Sequence, residues 1–151
     1  MVTAHATILL VEDDPNDVLF MKTALEAAGV ENPLFVANNG REALAYLNGT
    51  GKFSERSRHP LPYLVLLDLK LPYVMGLDVL KAVRERPDLN STIVIVLTAS
   101  TNAADVETAY RLGANAYLVK PSSFEKLKVL IRSVKEFWLV QNQPSAPFSD
   151  L

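Results

Sequence analysis

The 151-residue sequence has no cysteine, which excludes disulfides and thiolate metal centres and leaves the redox compartment open. It has no surplus of positive charge either. Fifteen Lys and Arg stand against seventeen Asp and Glu, for a net charge of -2. There is thus no broad basic field, and nucleic acid is not an expected partner. No run approaches the ~18 apolar residues of a membrane span, and Met1 to Thr7 lacks both a basic segment and a long apolar stretch. The expectation is a cytoplasmic protein that does not enter a membrane. Internal repeats are missing too. What is present is a composition 49% hydrophobic and 21% charged, enough for one compact domain with its own core and too little for two.

The pattern alternates strands with amphipathic helices. Thr7 to Glu12 reads as a buried strand, followed by Asp14-Pro15, an N-cap with proline in the first helical position. Val18, Met21, Leu25 and Ala28 then share one helical face, up to Gly29. Further strands are predicted at Leu34 to Ala37, Tyr63 to Leu69, Ile93 to Thr98 and Asn115 to Val119. Helices are predicted over Arg41 to Leu47, Leu77 to Glu85 and Ala103 to Leu112, and a last one opens at Ser122 with Glu125 as a capping box. Five such units with near-continuous Val, Ile and Leu strands imply an α/β fold, a parallel sheet covered on both faces. Asn48 to Pro62, which holds Lys52, Arg56, Arg58 and His59, is polar and rich in turn formers. It reads as a solvated surface loop, with partner docking as its alternative use. Gln141 to Leu151 reads as a short frayed tail.

Chemistry gathers where the strands end. Glu12 and Asp13 follow the first apolar run, Asp68 the third, Thr98 the fourth and Lys120 the fifth. In a parallel sheet those ends share one edge, where open α/β folds bind ligands. Taken singly, Asp68 is a cap or turn former, the acidic run caps a helix, Thr98 caps a loop and Lys120 snorkels. Together they outline a site for a divalent cation and a phosphoryl group. Clustered carboxylates repel unless a cation sits among them, and Mg2+ takes oxygen ligands alongside phosphate. Asp68 is the candidate nucleophile, forming an aspartyl phosphate, with Thr98 and Lys120 stabilising the phosphoryl oxygens.

Glu12-Asp13, Asp68 followed by Pro72 and Gly76, Thr98-Ala99, Tyr117 and Lys120-Pro121 together resemble a response-regulator receiver domain, and the likeness runs from about Ala6 to Val140. The resemblance implies a doubly wound five-stranded parallel sheet, flavodoxin-like, in the order 2-1-3-4-5; a member of this family is a standard example of that topology. It implies a receiver over residues 1–140, a tail at 141–151 and no output domain. Phosphoryl transfer from a histidine kinase to Asp68 is implied, with Mg2+ held by Asp13, Asp68 and the Lys70 backbone carbonyl, and by Glu12 through water. Thr98 and Tyr117 would form the switch, and Lys120-Pro121 a cis peptide. Such a protein is not an enzyme beyond handling its own phosphoryl group. The long loop, the string Leu66 to Pro72 and the ending Glu136-Phe137-Trp138-Leu139 further resemble small regulators paired with phytochrome-type sensor kinases. One departure is Lys120-Pro121-Ser122-Ser123-Phe124, where an aromatic often follows the proline directly.

Two other functions share part of this chemistry. An aspartate-nucleophile phosphatase wants a second Asp two residues past the nucleophile, where this chain has Lys70. A pseudo-receiver would bind partners without being phosphorylated. For output, Leu127, Leu130, Ile131, Val134 and Trp138 fill a core-facing stripe at α-helical spacing. That leaves Val129, Leu139 and Val140 for a homodimer contact through the last helix, or for kinase docking, unless the tail covers them.

Overall fold

The computed structural model describes residues 1–146 and 148–149. Strands β1 (Ile8–Val11), β2 (Leu34–Ala37), β3 (Leu64–Leu67), β4 (Ile93–Thr98) and β5 (Ala116–Val119) alternate with helices α1 (Pro15–Ala27), α2 (Gly40–Asn48), α3 (Gly76–Arg84), α4 (Ala103–Arg111) and α5 (Phe124–Val134). All pairings within this five-stranded sheet are parallel and the order is β2-β1-β3-β4-β5, as expected.

Side-chain alternation along the strands divides the core into two layers. Leu9, Val11, Val65, Leu67, Val94 and Val96 pack against Ala43, Tyr46 and Leu47 of α2, Val79, Leu80 and Val83 of α3, and Ala109 of α4. Ile8, Leu10, Leu64, Leu66, Ile95 and Leu97 face Met21, Ala24 and Leu25 of α1 and Ile131 and Val134 of α5. Each fully buried aliphatic side chain contributes roughly 1.5–3 kcal/mol, so the two layers hold the sheet rigid beneath its loops. Helix starts are set by short polar side chains. Asp14 accepts from the Asn16 N–H at 2.8 Å and Asn39 from the Glu42 N–H at 2.7 Å. The last helix is capped by Ser123, which accepts from the Lys126 N–H at 3.2 Å. Ser122 with Glu125 is therefore corrected by one residue.

Three expectations about the surface also change. The 48–62 loop is not simply solvated. A 3-10 turn over Gly51–Phe53 buries Phe53, and the His59 ring packs on Phe35, Tyr46 and Phe53. The Arg56 guanidinium closes the loop by donating to the carbonyls of Tyr46, Leu47 and His59.

The tail is not frayed over its described residues. Phe148 stacks on Tyr63, its carbonyl accepts from the Thr3 N–H at 3.0 Å, and Ser149 bridges to Val2.

Leu139, expected on the surface, is 5% exposed. Lys135–Gln141 continues α5 as a π-helix, whose i to i+5 hydrogen bonds widen the turn. Leu139 thereby joins the core layer of Ile131 and Val134, and Trp138, half-buried, packs against the same layer as expected. The Trp138 carbonyl accepts from the Tyr63 hydroxyl at 2.7 Å, and the Leu139 carbonyl from the Val2 N–H at 3.3 Å. Val129 and Phe137 are the large apolar side chains that this helix leaves exposed, and Val140 is half-buried. Among the described residues no helix is long and apolar enough to cross a membrane.

Candidate functional site

Register assembles the site. Val11 pairs with Leu67, so the next residues, Glu12 and Asp68, leave the sheet side by side and continue the face of Leu10 and Leu66. Thr98 ends β4 opposite Val119, which places Lys120 one residue beyond it. All the strand-end candidates therefore converge, as the sequence implied. Carboxylate oxygens of Glu12, Asp13 and Asp68 lie within 4.8 Å of one another. Glu12 and Asp68 are buried, Asp13 is exposed and Thr98 is fully buried.

The Lys120 ammonium donates to Glu12 Oε2 at 2.5 Å, Asp68 Oδ2 at 3.0 Å and Asp17 Oδ2 at 3.1 Å. The second Asp68 oxygen, Oδ1, accepts from the Lys70 N–H at 3.3 Å. Behind it, the Gly76 N–H donates to the Leu69 carbonyl at 2.9 Å. A Cβ at Gly76 would stand 2.2 Å from the Asp68 carbonyl oxygen, so α3 can begin this close to the end of β3 only without a side chain.

Electrostatics follow from burial and pairing. Burial pushes Glu12 up to about 7, against the opposing bonds from Lys120 and the Asp14 N–H. Burial also acts to raise Asp68, but the Lys120 bond and charge, the Thr98 hydroxyl and the Lys70 N–H outweigh it and hold Asp68 below the usual carboxylate range. Burial would lower Lys120, yet Glu12 and Asp68 raise it. Asp68 is consequently the more acidic of the two, and Glu12 takes up a proton first as pH falls. Three carboxylates share one ammonium here, and a fourth, Asp13, makes no ion pair among the described residues. A cluster of hard oxygens with surplus negative charge suits a hard divalent cation.

The loop after β4 is tied to β5. Tyr117 donates its hydroxyl to the Ser100 carbonyl at 3.0 Å, and its own N–H donates to the Tyr110 hydroxyl at 3.2 Å. Ser100 donates its hydroxyl to Asp105 at 2.6 Å. Asp17 and Asp105 escaped the sequence reading. Asp17 had a signal, since it stands three residues after the Asp14 cap and so in the first turn that faces the strand ends. Asp105 had none.

The response regulator receiver domain model matches residues 8–132. The chain is 39% identical over 140 residues to the probable methanogenesis regulatory protein FilR2 of Methanothrix harundinacea, covering 93% of this chain and 88% of the relative. It is 36% identical over 132 residues to the response regulator Rcp1 of Synechocystis, covering 87% of this chain and 88% of Rcp1. The crystal structure of the Mn2+-bound form of Rcp1 superposes with a TM-score of 0.85 at 34% identity, covering 93% of this chain and 99% of that one. That of the phosphorylated cyanobacterial phytochrome response regulator RcpA does so with a TM-score of 0.87 at 32% identity, covering 94% and 99%. With this fold, this strand-end constellation and these relatives, the chain belongs to the response regulator receiver domain family of two-component systems.

Proposed function

We propose that the protein accepts a phosphoryl group on Asp68 from a sensor histidine kinase, in a Mg2+-dependent reaction, and signals by rearranging the β4–α4 loop and β5. The observation that carries this reading is the Lys120 ammonium, bonded at once to Glu12 and Asp68 inside a cluster of unbalanced carboxylates. An ionised Asp68 oxygen attacks phosphorus as the P–N bond of the phosphohistidine breaks, and the electron pair leaves with the imidazole. Asp13, Asp68 and the Lys70 carbonyl would hold Mg2+, with Glu12 acting through water, and the cation would neutralise charge on the phosphoryl oxygens. Lys120 and the Thr98 hydroxyl donate to those oxygens.

As Thr98 turns to its new acceptor, it draws Ser100 with it, and the Ser100 carbonyl carries the movement to Tyr117 through their hydrogen bond. In this reading the receiver spans 1–140 with 141–151 as its tail, and the chain turns over only its own aspartyl phosphate. The likeness to RcpA, a phytochrome response regulator, supports a phytochrome-type kinase as the donor. A homodimer through the last helix would use Val129 and Phe137, since Leu139 is buried; sedimentation with and without acetyl phosphate tests it.

Acetyl phosphate with Mg2+ tests the central claim. Wild-type protein should gain one phosphoryl group, read by intact mass, and Asp68→Asn should gain none. Incorporation into Asp68→Asn at the wild-type level would refute the assignment.

A further inference from the structure

A lysine ammonium has three N–H donors, and Lys120 uses all of them on carboxylates. Glu12 accepts at 2.5 Å, Asp68 at 3.0 Å and Asp17 at 3.1 Å. A bond from Lys120 to an arriving phosphoryl oxygen therefore requires one of these three to yield. Exposure decides which. Releasing Glu12, 5% exposed, would leave a buried carboxyl without its donor, and Asp68, 10% exposed, stays within reach as the group that carries the phosphoryl. The Asp17 side chain is 40% exposed and rehydrates when released.

We infer that Asp17 is a positioning residue that tethers Lys120 in the unphosphorylated protein and competes with the phosphoryl group for its ammonium; this rests on the proposed transfer to Asp68. The Asp17 charge opposes phosphorylation twice, by occupying a Lys120 donor and by repelling the incoming dianion. Asp17 belongs to the first turn of α1 and Lys120 follows β5, so the bond also fastens that helix to the far side of the site. Phosphorylation releases the fastening.

Asp17→Asn keeps the shape of the side chain and loses its charge. The full chain with Mg2+ is titrated with beryllofluoride, a phosphoryl mimic, and the lifetime of the aspartyl phosphate made from acetyl phosphate is followed by mass. Asp17→Asn should bind beryllofluoride about 5-fold more tightly and lengthen the lifetime by a similar factor, the scale of one partly exposed ion pair. Asp17→Ala should move both readouts in the same direction. Asp17→Glu restores a carboxylate and should return both toward wild type, which a purely structural role for Asp17 would not produce. Equal or weaker binding by Asp17→Asn, with Asp68 still phosphorylated, overturns the tether alone. A wild-type protein that neither binds beryllofluoride nor takes a phosphoryl group overturns the phosphoacceptor reading beneath it.

Discussion

Lys120→Met keeps the length of the side chain and removes the one ammonium that serves Glu12 and Asp68, whose side chains are 5% and 10% exposed. Breaking a buried ion pair by deleting one partner costs about 3–5 kcal/mol, because the remaining charges have neither water nor a counter-ion. Protonation of Glu12 relieves part of that cost. Burial already raises Glu12 from 4.5 to about 7, and the lost lysine bond was one of the influences lowering it, so the variant pushes it higher. The folded state then binds more protons than the unfolded one from about pH 4.5 upward, and stability falls as pH rises through that window. The loss relative to wild type should therefore be about 3 kcal/mol at pH 8 and shrink by about 1–2 kcal/mol at pH 5.5, at ~1.4 kcal/mol for each unit by which the Glu12 window has widened. Urea unfolding of both proteins in chelator-treated buffer, followed by far-UV circular dichroism, measures it, and equal m-values license the comparison. A loss that is the same at both pH values, or a more stable variant, would refute the account of Lys120 as counter-ion to two buried carboxylates.

Three further outcomes follow from packing and burial. Gly76→Ala should cost about 1–3 kcal/mol and slow phosphorylation by acetyl phosphate, because the new methyl overlaps the Asp68 carbonyl and the Leu69 Cα; an unchanged melting temperature with unchanged rate would count against that close approach. Leu139→Asp should lower stability by about 3 kcal/mol or more, whereas Phe137→Asp on the exposed side of the same π-helix should change it by less than about 1 kcal/mol. Similar losses from the two would show the π register to be wrong. Burial pushes Tyr46 up to about 12 while its hydroxyl donates to the Pro60 carbonyl at 2.8 Å. The folded state keeps that proton after the unfolded chain begins to lose it near pH 10, so stability should fall as pH climbs from about 10 to 12. Tyr46→Phe should flatten that fall in alkaline urea titrations, and an unchanged slope would exclude Tyr46 as its source.

The sequence alone determined the sheet and most of the site. Buried parallel strands write themselves as short apolar runs, and a parallel sheet aligns their C-terminal ends, so Glu12, Asp13, Asp68, Thr98 and Lys120 could be placed together from order and parity. Caps were legible to within one residue, because Ser122 and Ser123 offer the same hydroxyl and only the backbone conformation selects the second.

Tertiary structure decided what depends on contacts between distant parts of the chain. Asp17 became a partner of Lys120 through a contact spanning 103 residues, and His59 and Arg56 turned inward because Tyr46 and its neighbours offered rings and free carbonyls. The burial of Leu139 is the plainest instance. A periodic reading assumes 3.6 residues per turn, which turns Trp138 inward, as found, but leaves Leu139 outside the stripe, whereas it is buried beside it. The wider π turn leaves no mark in the local pattern. It is fixed instead by the Tyr63 hydroxyl bonding the Trp138 carbonyl 75 residues away and by the N-terminal Val2 bonding the Leu139 carbonyl, contacts that exist only once both ends of the chain have closed on the sheet.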